Sequence, residues 1–341
     1  MHATLLAIAL LFSISSAERA RVVHAAAEQL RNGYVFVETG NAMAADIEAR
    51  LKRGEYDRID TAQALADRLT ANLRAISHDQ HLRITYSDEP PRPAATQTDT
   101  SARRARITKL GGEVNYGFPK AEVLPGNIGY LEVDGFWHLE YGGGETAAAA
   151  MTFLGSTDAL IFDLRNSTMG GDPEMSILLK SYLFATPTHL SDFYSRATNE
   201  TRQWWTQASV PGPRYVDKPV YVLTSTRTFS AGEGFAYDLQ AFRRAMIIGE
   251  TTAGAAHPED EHALGDGFTI ELPFARGINT ITKTDWEGVG VKPDIATSAA
   301  AALDTAQLEA LTILAKQEGV SARLQDERQR ALAAVRQRLA R

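Results

Sequence analysis

The chain has no cysteine among its 341 residues. No disulfide supports the fold, and no lipid is attached through a cysteine. Its eight histidines are scattered, and without a Cys/His cluster nothing supports zinc. Neither a metal nor a cofactor is expected. Basic charge is not in excess either: the formal net charge is −7, so composition gives no case for nucleic acid as a partner. No internal repeat is present. The apolar run over residues 2–14 is too short to span a bilayer comfortably. Ser15 and Ala17 fit the −3 and −1 positions of a cleavage site, so residues 1–17 read as a signal peptide, although no Lys or Arg precedes the run. The expectation is export, periplasmic or extracellular, with no membrane span after cleavage.

What is present is ordinary for a globular protein, with 44% hydrophobic and 23% charged residues. Apolar residues recur at helical spacing at Val22, Val23, Ala26 and Leu30, and again at Leu65, Leu69, Leu73 and Ile76. Gly33, Gly40 and Gly54 interrupt the pattern, so residues 18–88 read as a domain of several short helices. Residues 89–112, with Pro90, Pro91, Pro93, Arg92, Arg103, Arg104 and Arg106, read as a linker or loop. Residues 113–300 then alternate β-rich runs with helical stretches. Strands are predicted at 128–133, 159–164, 220–223 and 245–248, with a later hairpin at 268–272 and 278–281. The second and third runs are almost continuously apolar, as in strands covered on both faces. This alternation indicates an α/β domain. Residues 301–341 read as a helical tail, interrupted near Gly319.

Ser230 stands out within this pattern. It lies between the apolar run Val220-Tyr221-Val222-Leu223 and a helical stretch with Phe235, Leu239 and Phe242 on one face. A serine at a strand-to-helix turn can hold its hydroxyl out of the packed layers, beside the free N–H groups of a helix start. The same residues also fit a capping box between Ser230 and Glu233. Asp163-Leu164-Arg165-Asn166 leads from a buried strand to Gly170-Gly171, whose N–H groups suit a developing oxyanion. The alternative is a Gly-Gly turn before a helix capped by Asp172. His81 is a candidate base and Glu287 a candidate partner for it. Trp204 and Trp205 suit either the lip of a cleft or plain packing.

Taken together, the chain resembles the C-terminal-processing (tail-specific) peptidase superfamily, in the branch near tricorn core proteases and the interphotoreceptor retinoid-binding protein. The likeness covers about residues 75–297. It rests on Asp79-Gln80-His81-Leu82, Gly126-Asn127-Ile128-Gly129-Tyr130-Leu131, Asp163-Leu164-Arg165-Asn166 with Gly170-Gly171, Thr228-Phe229-Ser230-Ala231-Gly232-Glu233, Gly249-Glu250-Thr251-Thr252-Ala253-Gly254, and Gly288-Val289-Gly290-Val291-Lys292-Pro293-Asp294, in the family's order.

The resemblance implies a crotonase/ClpP-like α/β core of ββα units behind a helical domain. It implies Ser230 as nucleophile, with the N–H groups of Gly171 (or Gly170) and Ala231 as oxyanion donors. The tail-specific branch places a lysine directly after the Gly-Glu-Thr-Thr-Ala-Gly stretch. Here Ala255 stands there, so the Ser/Lys dyad is absent from its usual place. The tricorn branch uses Ser, His and Glu, matching Ser230, His81 and Glu287, and the three are expected close together in the fold. Gln80 replaces that branch's serine, and His257 is a second candidate base. The interval from Leu82 to Gly126 is about half the length of a PDZ domain, so none is expected. The implied activity is a serine peptidase acting on peptides or unfolded protein segments, with oligomerisation compatible. The alternative is a binding module for retinoids or fatty acids with a vestigial cleft.

Overall fold

The computed structural model describes residues 14–88, 100–168 and 170–341. The apolar run of the expected signal peptide up to residue 13, and the proline-containing part of the expected linker, lie outside the described residues. No described helix is long and apolar enough to cross a membrane. The chain divides into two units. One comprises residues 1–98, 193–202 and 257–277; the other comprises 99–192, 203–256 and 278–341.

In the first unit, the helix Ser16–Gly33 begins with a capping box: Glu18 N–H donates to Ser15 Oγ at 3.2 Å, and Ser15 N–H donates to Glu18 Oε2 at 2.7 Å. Val22, Val23, Ala26, Ala27 and Leu30 form its buried stripe. Helices Val37–Lys52 and Ala62–Ser77 contribute Met43, Ala44 and Ile47, and Leu65, Leu69 and Leu73. Their 3.6-residue spacing turns one face of each helix inward. The stripes pack with Ile84, Leu264, Phe268, Ile270 and Leu272 of a three-stranded sheet. In that sheet the strand Phe268–Pro273 lies centrally, antiparallel to Arg83–Tyr86 on one side and to Glu259–Gly265 on the other.

Two expectations change here. Phe268–Pro273 pairs with the acidic strand before it and with Arg83–Tyr86, not with residues 278–281 in a hairpin. Residues 257–277 also belong to the unit that begins at the N-terminus, so the expected continuous core over 113–300 is interrupted. The charged run Glu259-Asp260-Glu261 hides a strand because three consecutive acids show no apolar alternation.

The second unit is built on a six-stranded sheet in the order Ile295–Ala296, Met246–Gly249, Val220–Thr224, Ala159–Asp163, Ile128–Glu132, Lys120–Leu124. All neighbours are parallel except the last pair. Alternate side chains point to opposite faces. Leu131, Leu160, Phe162, Val222 and Ile247 pack with Met151, Leu154, Met175, Leu179, Phe235 and Leu239 of helices Gly143–Leu154, Pro173–Ser181 and Ala231–Ala241. Ile128, Tyr130, Ile161, Tyr221, Leu223 and Ile248 pack with residues of Ala302–Leu314 and Ala322–Leu339. The tail is therefore two helices that close the second face of the sheet. A helix, Thr100–Glu113, occupies most of the stretch expected as linker. The prolines all precede it, and its Ala, Arg, Lys and Leu residues are good helix formers.

Candidate active site

In the second unit, the strand Val220–Thr224 leads into a turn pinned to the neighbouring turn after Ala159–Asp163. Thr228 Oγ1 donates to Leu164 O at 2.8 Å, Phe229 N–H to Ser167 O at 2.9 Å, and Ser225 Oγ to Arg165 O at 2.7 Å. Arg165 is itself fixed: its Nε lies 2.9 Å from Asp163 Oδ1, and its Nη1 donates to Ala299 O at 2.6 Å. Asp163 is buried and also accepts from Tyr130 Oη at 2.7 Å. The Asp-Leu-Arg-Asn segment thus anchors the turn.

Ser230 ends this turn with φ 49° and ψ −115° and begins the helix Ala231–Ala241. A positive φ on a residue with a side chain costs of order 1–3 kcal/mol, so the surrounding bonds must impose it. Ser230 N–H donates to Glu233 Oε2 at 2.9 Å within the expected capping box. Glu233 is fully buried and holds more than the cap. Its carboxylate also accepts from Thr252 Oγ1 at 2.5 Å, Gly254 N–H at 2.6 Å and Ala255 N–H at 2.9 Å. Burial raises its pKa above the usual carboxylate range, and these hydrogen bonds oppose that rise.

Gly170 lies against Ser230. Its φ is +62°, and a Cβ there would come within 2.6 Å of Ser230 Cβ and 3.0 Å of Ser230 Oγ. Gly171, at φ +126°, packs on Phe136 so closely that a Cβ would meet its carbonyl oxygen at 2.2 Å. Phe136 N–H donates to Gly170 O at 2.9 Å, and Asp172 N–H to Phe136 O at 2.7 Å. Only glycine satisfies both close approaches and both dihedrals. Gly170, Ser230 and Ala231 are thus neighbours: the added Cβ on Gly170 would also lie 3.3 Å from Ala231 N. Asp172 also caps the helix Pro173–Ser181, as the simpler alternative expects: its Oδ1 accepts Glu174 N–H at 2.9 Å.

Glu287 is half-buried in the same unit. Its Oε2 accepts Ala256 N–H at 2.5 Å, while Gly288 N–H donates to Gly254 O at 3.0 Å and Trp286 Nε1 to Ala255 O at 2.8 Å. Residues 254–256 are therefore held by Glu233 on one side and by the 286–288 segment on the other. Ala255, at the position where the dyad lysine was sought, is fully buried.

The two candidate histidines, His81 and His257, belong to the first unit. Helix Ala62–Ser77 ends on His78 in the left-handed region at φ 57°. Asp79 follows and is fully buried. Its Oδ1 accepts His81 N–H at 3.0 Å; its Oδ2 accepts Tyr34 Oη at 3.1 Å and lies 2.7 Å from His257 Nδ1. His257 is buried edge-on to Phe36, with ring centroids 5.4 Å apart. Burial pushes the His81 imidazole down to about 4, against the opposing charge of Asp79. Its Nε2 lies 3.9 Å from Glu259 Oε2, and burial pushes the Glu259 carboxyl up to about 7. Gln80 is exposed, and its main-chain oxygen accepts from Arg74 Nη2 at 2.5 Å. Sequence reasoning missed Asp79 and Glu259. Asp79 stood inside a quoted motif, and its signal was an acid two residues before a candidate base. Nothing local marks Glu259.

Residues 127–297 match peptidase family S41, and residues 9–110 match the N-terminal domain of peptidase S41 in eukaryotic IRBP. The chain is 25% identical over 262 residues to a carboxyl-terminal-processing protease of Picosynechococcus, covering 74% of this chain and 57% of that protein. It is 26% identical over 208 residues to the chloroplastic carboxyl-terminal-processing peptidase 2 of Arabidopsis thaliana, covering 59% of this chain and 39% of that protein. The chain thus spans about half the length of these relatives. Among solved structures, the photosystem II D1 C-terminal processing protease superposes with TM-score 0.51 at 15% identity, over 84% of this chain and 95% of that one. The tricorn protease superposes with TM-score 0.52 at 13% identity, over 84% of this chain and 35% of that one. At these identities the likeness concerns the fold.

Proposed function

This chain belongs to peptidase family S41, and from that premise we propose that it is a serine-type peptidase hydrolysing peptide bonds of peptides or unfolded protein segments. The observation that carries the reading is the Ser230 turn: a side chain held at φ 49° with the main chain of Gly170 against its hydroxyl. Ser230 Oγ attacks the scissile carbonyl carbon as a histidine removes its proton. The N–H groups of Gly171 (or Gly170) and Ala231 receive the oxyanion, where one such donor is typically worth about 3 kcal/mol. The histidinium returns the proton to the leaving amine, and water then releases the acyl group by the same steps.

Two histidines compete for the role of base. His81, with Glu287 as partner, is the assignment that the resemblance implies. A group held to about 4 by burial is a weak base at neutral pH. His257 has its Nδ1 2.7 Å from the buried Asp79, which favours a proton on Nδ1 and makes Nε2 the acceptor. Its chain position supports it as well, one residue beyond the 254–256 segment that Glu233 and Glu287 hold. We therefore favour His257 as base, with Asp79 as its positioning residue and Glu287 as a support of the Ala256 main chain. Export, read from residues 1–17, belongs to the same proposal and is tested by cell fractionation.

Active-site labelling with a fluorophosphonate tests the nucleophile. Labelling of the native chain and none of folded Ser230→Ala is expected. No labelling, together with saturable binding of a retinoid or fatty acid, would replace the peptidase by the ligand-binding reading.

A further inference from the structure

The indole of Trp286 stands one helical turn from Ser230. Gly234 N–H donates to Ser230 O at 3.0 Å in the first turn of the helix Ala231–Ala241. A Cβ added to Gly234 would lie 2.8 Å from Trp286 Cη2 and 3.3 Å from Cζ2. Glycine at this position therefore leaves the room that the ring occupies. The Cα–Cβ direction on a helix tilts towards the N-terminus, so the tip of the ring covers the turn that Ser230 caps. Four residues of helix rise about 6 Å, and successive Cα atoms of a peptide lie about 3.8 Å apart. A side chain next to a carbonyl at Ser230 Oγ is thus within reach of the ring.

The ring is fixed before any peptide arrives. Trp286 Nε1 donates to Ala255 O at 2.8 Å, and Ala255 N–H donates to Glu233 Oε2 at 2.9 Å. The same Oε2 accepts Ser230 N–H at 2.9 Å, so the indole and the Ser230 main chain share one support. Tyr237, on the same helix, holds its ring 5.3 Å from that of Trp286 and its hydroxyl 2.7 Å from Thr282 Oγ1. With its N–H already bonded, Trp286 has only apolar surface to offer, and it is half-buried. Val289, whose N–H donates to Trp286 O at 3.2 Å, is 63% exposed, and Ile281, beside Thr282, is 56% exposed. All these residues belong to the second unit. Exposed apolar residues are ordinary when scattered singly, but these adjoin an indole anchored to the Ser230 helix. A ring held at both ends packs on an apolar side chain without losing freedom of its own. An acidic side chain gains nothing there and loses water.

We propose that Trp286 is the wall of a substrate subsite for an apolar side chain, aromatic or branched aliphatic, on a residue flanking the scissile bond. The proposal rests on the peptidase reading for what Ser230 does to that bond, and its test separates the two. Fluorescent peptides of one fixed sequence, carrying phenylalanine, leucine, alanine or aspartate at each position in turn, are titrated into Ser230→Ala protein. At one position, phenylalanine should bind about tenfold more tightly than alanine, with aspartate weakest. Trp286→Ala in the same background should remove most of that difference, and Trp286→Phe, which keeps a ring, should retain most of it. Because Trp286→Ala also removes packing, Gly234→Ala supplies a second reading. Alanine is the better helix former, and its Cβ displaces the ring, so the preference should fall while the circular dichroism spectrum stays native. No binding of any peptide, equal affinity at every position, or a preference that survives in Gly234→Ala and in any folded Trp286→Ala would overturn the subsite. Hydrolysis by the native chain is read in parallel. Cleavage without apolar preference sinks the subsite and keeps the peptidase; a Trp286-dependent preference in binding without any cleavage keeps the subsite and sinks the peptidase.

Discussion

The Ser230 turn and the Asp79 cluster are built on opposite principles. In the second unit, the Ser230 turn is shaped by the main chain: a positive φ at Ser230, two glycines at close approach, and N–H groups at a helix start. The buried carboxylate of Glu233 there is surrounded by donors and acts as a clamp. In the first unit, the features that matter are side chains taken out of water. Asp79, His81 and His257 are buried, and Glu259 beside them is partly so. The difference teaches where each part is vulnerable. The turn should fail when a methyl group is added, and the cluster when a charge is moved.

The largest effect should come from the cluster if His257 is the base. His257→Ala and Asp79→Asn should each lower kcat/KM by about 10²–10⁴, with Asp79→Asn acting through the tautomer of His257. His81→Ala should cost far less. The measurement is kcat/KM on protein with a native circular dichroism spectrum. A full-rate His257→Ala enzyme beside a dead His81→Ala enzyme would return the role to His81, with Glu287→Gln then expected to be severe.

Next is the turn. Gly170→Ala forces a Cβ to within 2.6 Å of Ser230 Cβ at a φ that alanine resists. A loss of about 1–3 kcal/mol of stability is expected, and a fall in fluorophosphonate labelling much larger than that loss explains. Labelling at the native rate would mean that Gly170 does not shape the nucleophile.

The cluster should also give a pH signature in stability. His81 is lowered in the folded state from 6.5 to about 4. The unfolded chain therefore takes up this proton first as pH falls. The stability tied to neutral His81 is complete above about pH 6.5 and is lost as pH drops to about 4, by about 3 kcal/mol. Glu259 works the other way. Its carboxyl is raised from 4.5 to about 7, so its contribution is complete below about 4.5 and is lost as pH rises to about 7. Urea unfolding of native and His81→Gln protein between pH 4 and 7 should show a steeper acid-side loss in the native chain. Parallel curves would remove His81 as the cause.

The smallest effect concerns the first helix. Ser15→Ala deletes a cap and should cost about 0.5–2 kcal/mol, leaving both the turn and the cluster chemically intact. Sequencing the N-terminus of the mature protein sharpens this. Cleavage after Ala17 would remove Ser15 altogether and make the substitution silent.

How much was legible in the sequence differs between the two units for the same reason. Runs such as 159–164 and 220–223 announced buried parallel strands, because an apolar strand covered on both faces needs no distant partner to be recognised. Ser230, Glu233, Gly170 and Gly171 were legible because turns and caps depend on residues a few positions apart. The strand Glu259–Gly265 was not, since consecutive acids mask its period, and its pairing with Phe268–Pro273 and that strand's with Arg83–Tyr86 is a property of the folded sheet.

By itself, then, the sequence determined the α/β order, the helical tail and the strand-turn-helix setting of Ser230, which follow from local dihedral preference and hydrophobic period, while the family was legible only through the resemblance of its motifs. Only the tertiary structure decided that Asp79 faces His257 and that Glu233 holds Thr252, Gly254 and Ala255. It also decided that Glu287 spends a carboxylate oxygen on the Ala256 main chain. Those choices join residues far apart in the chain. Burial sets their energies, and burial does not exist until the chain has folded.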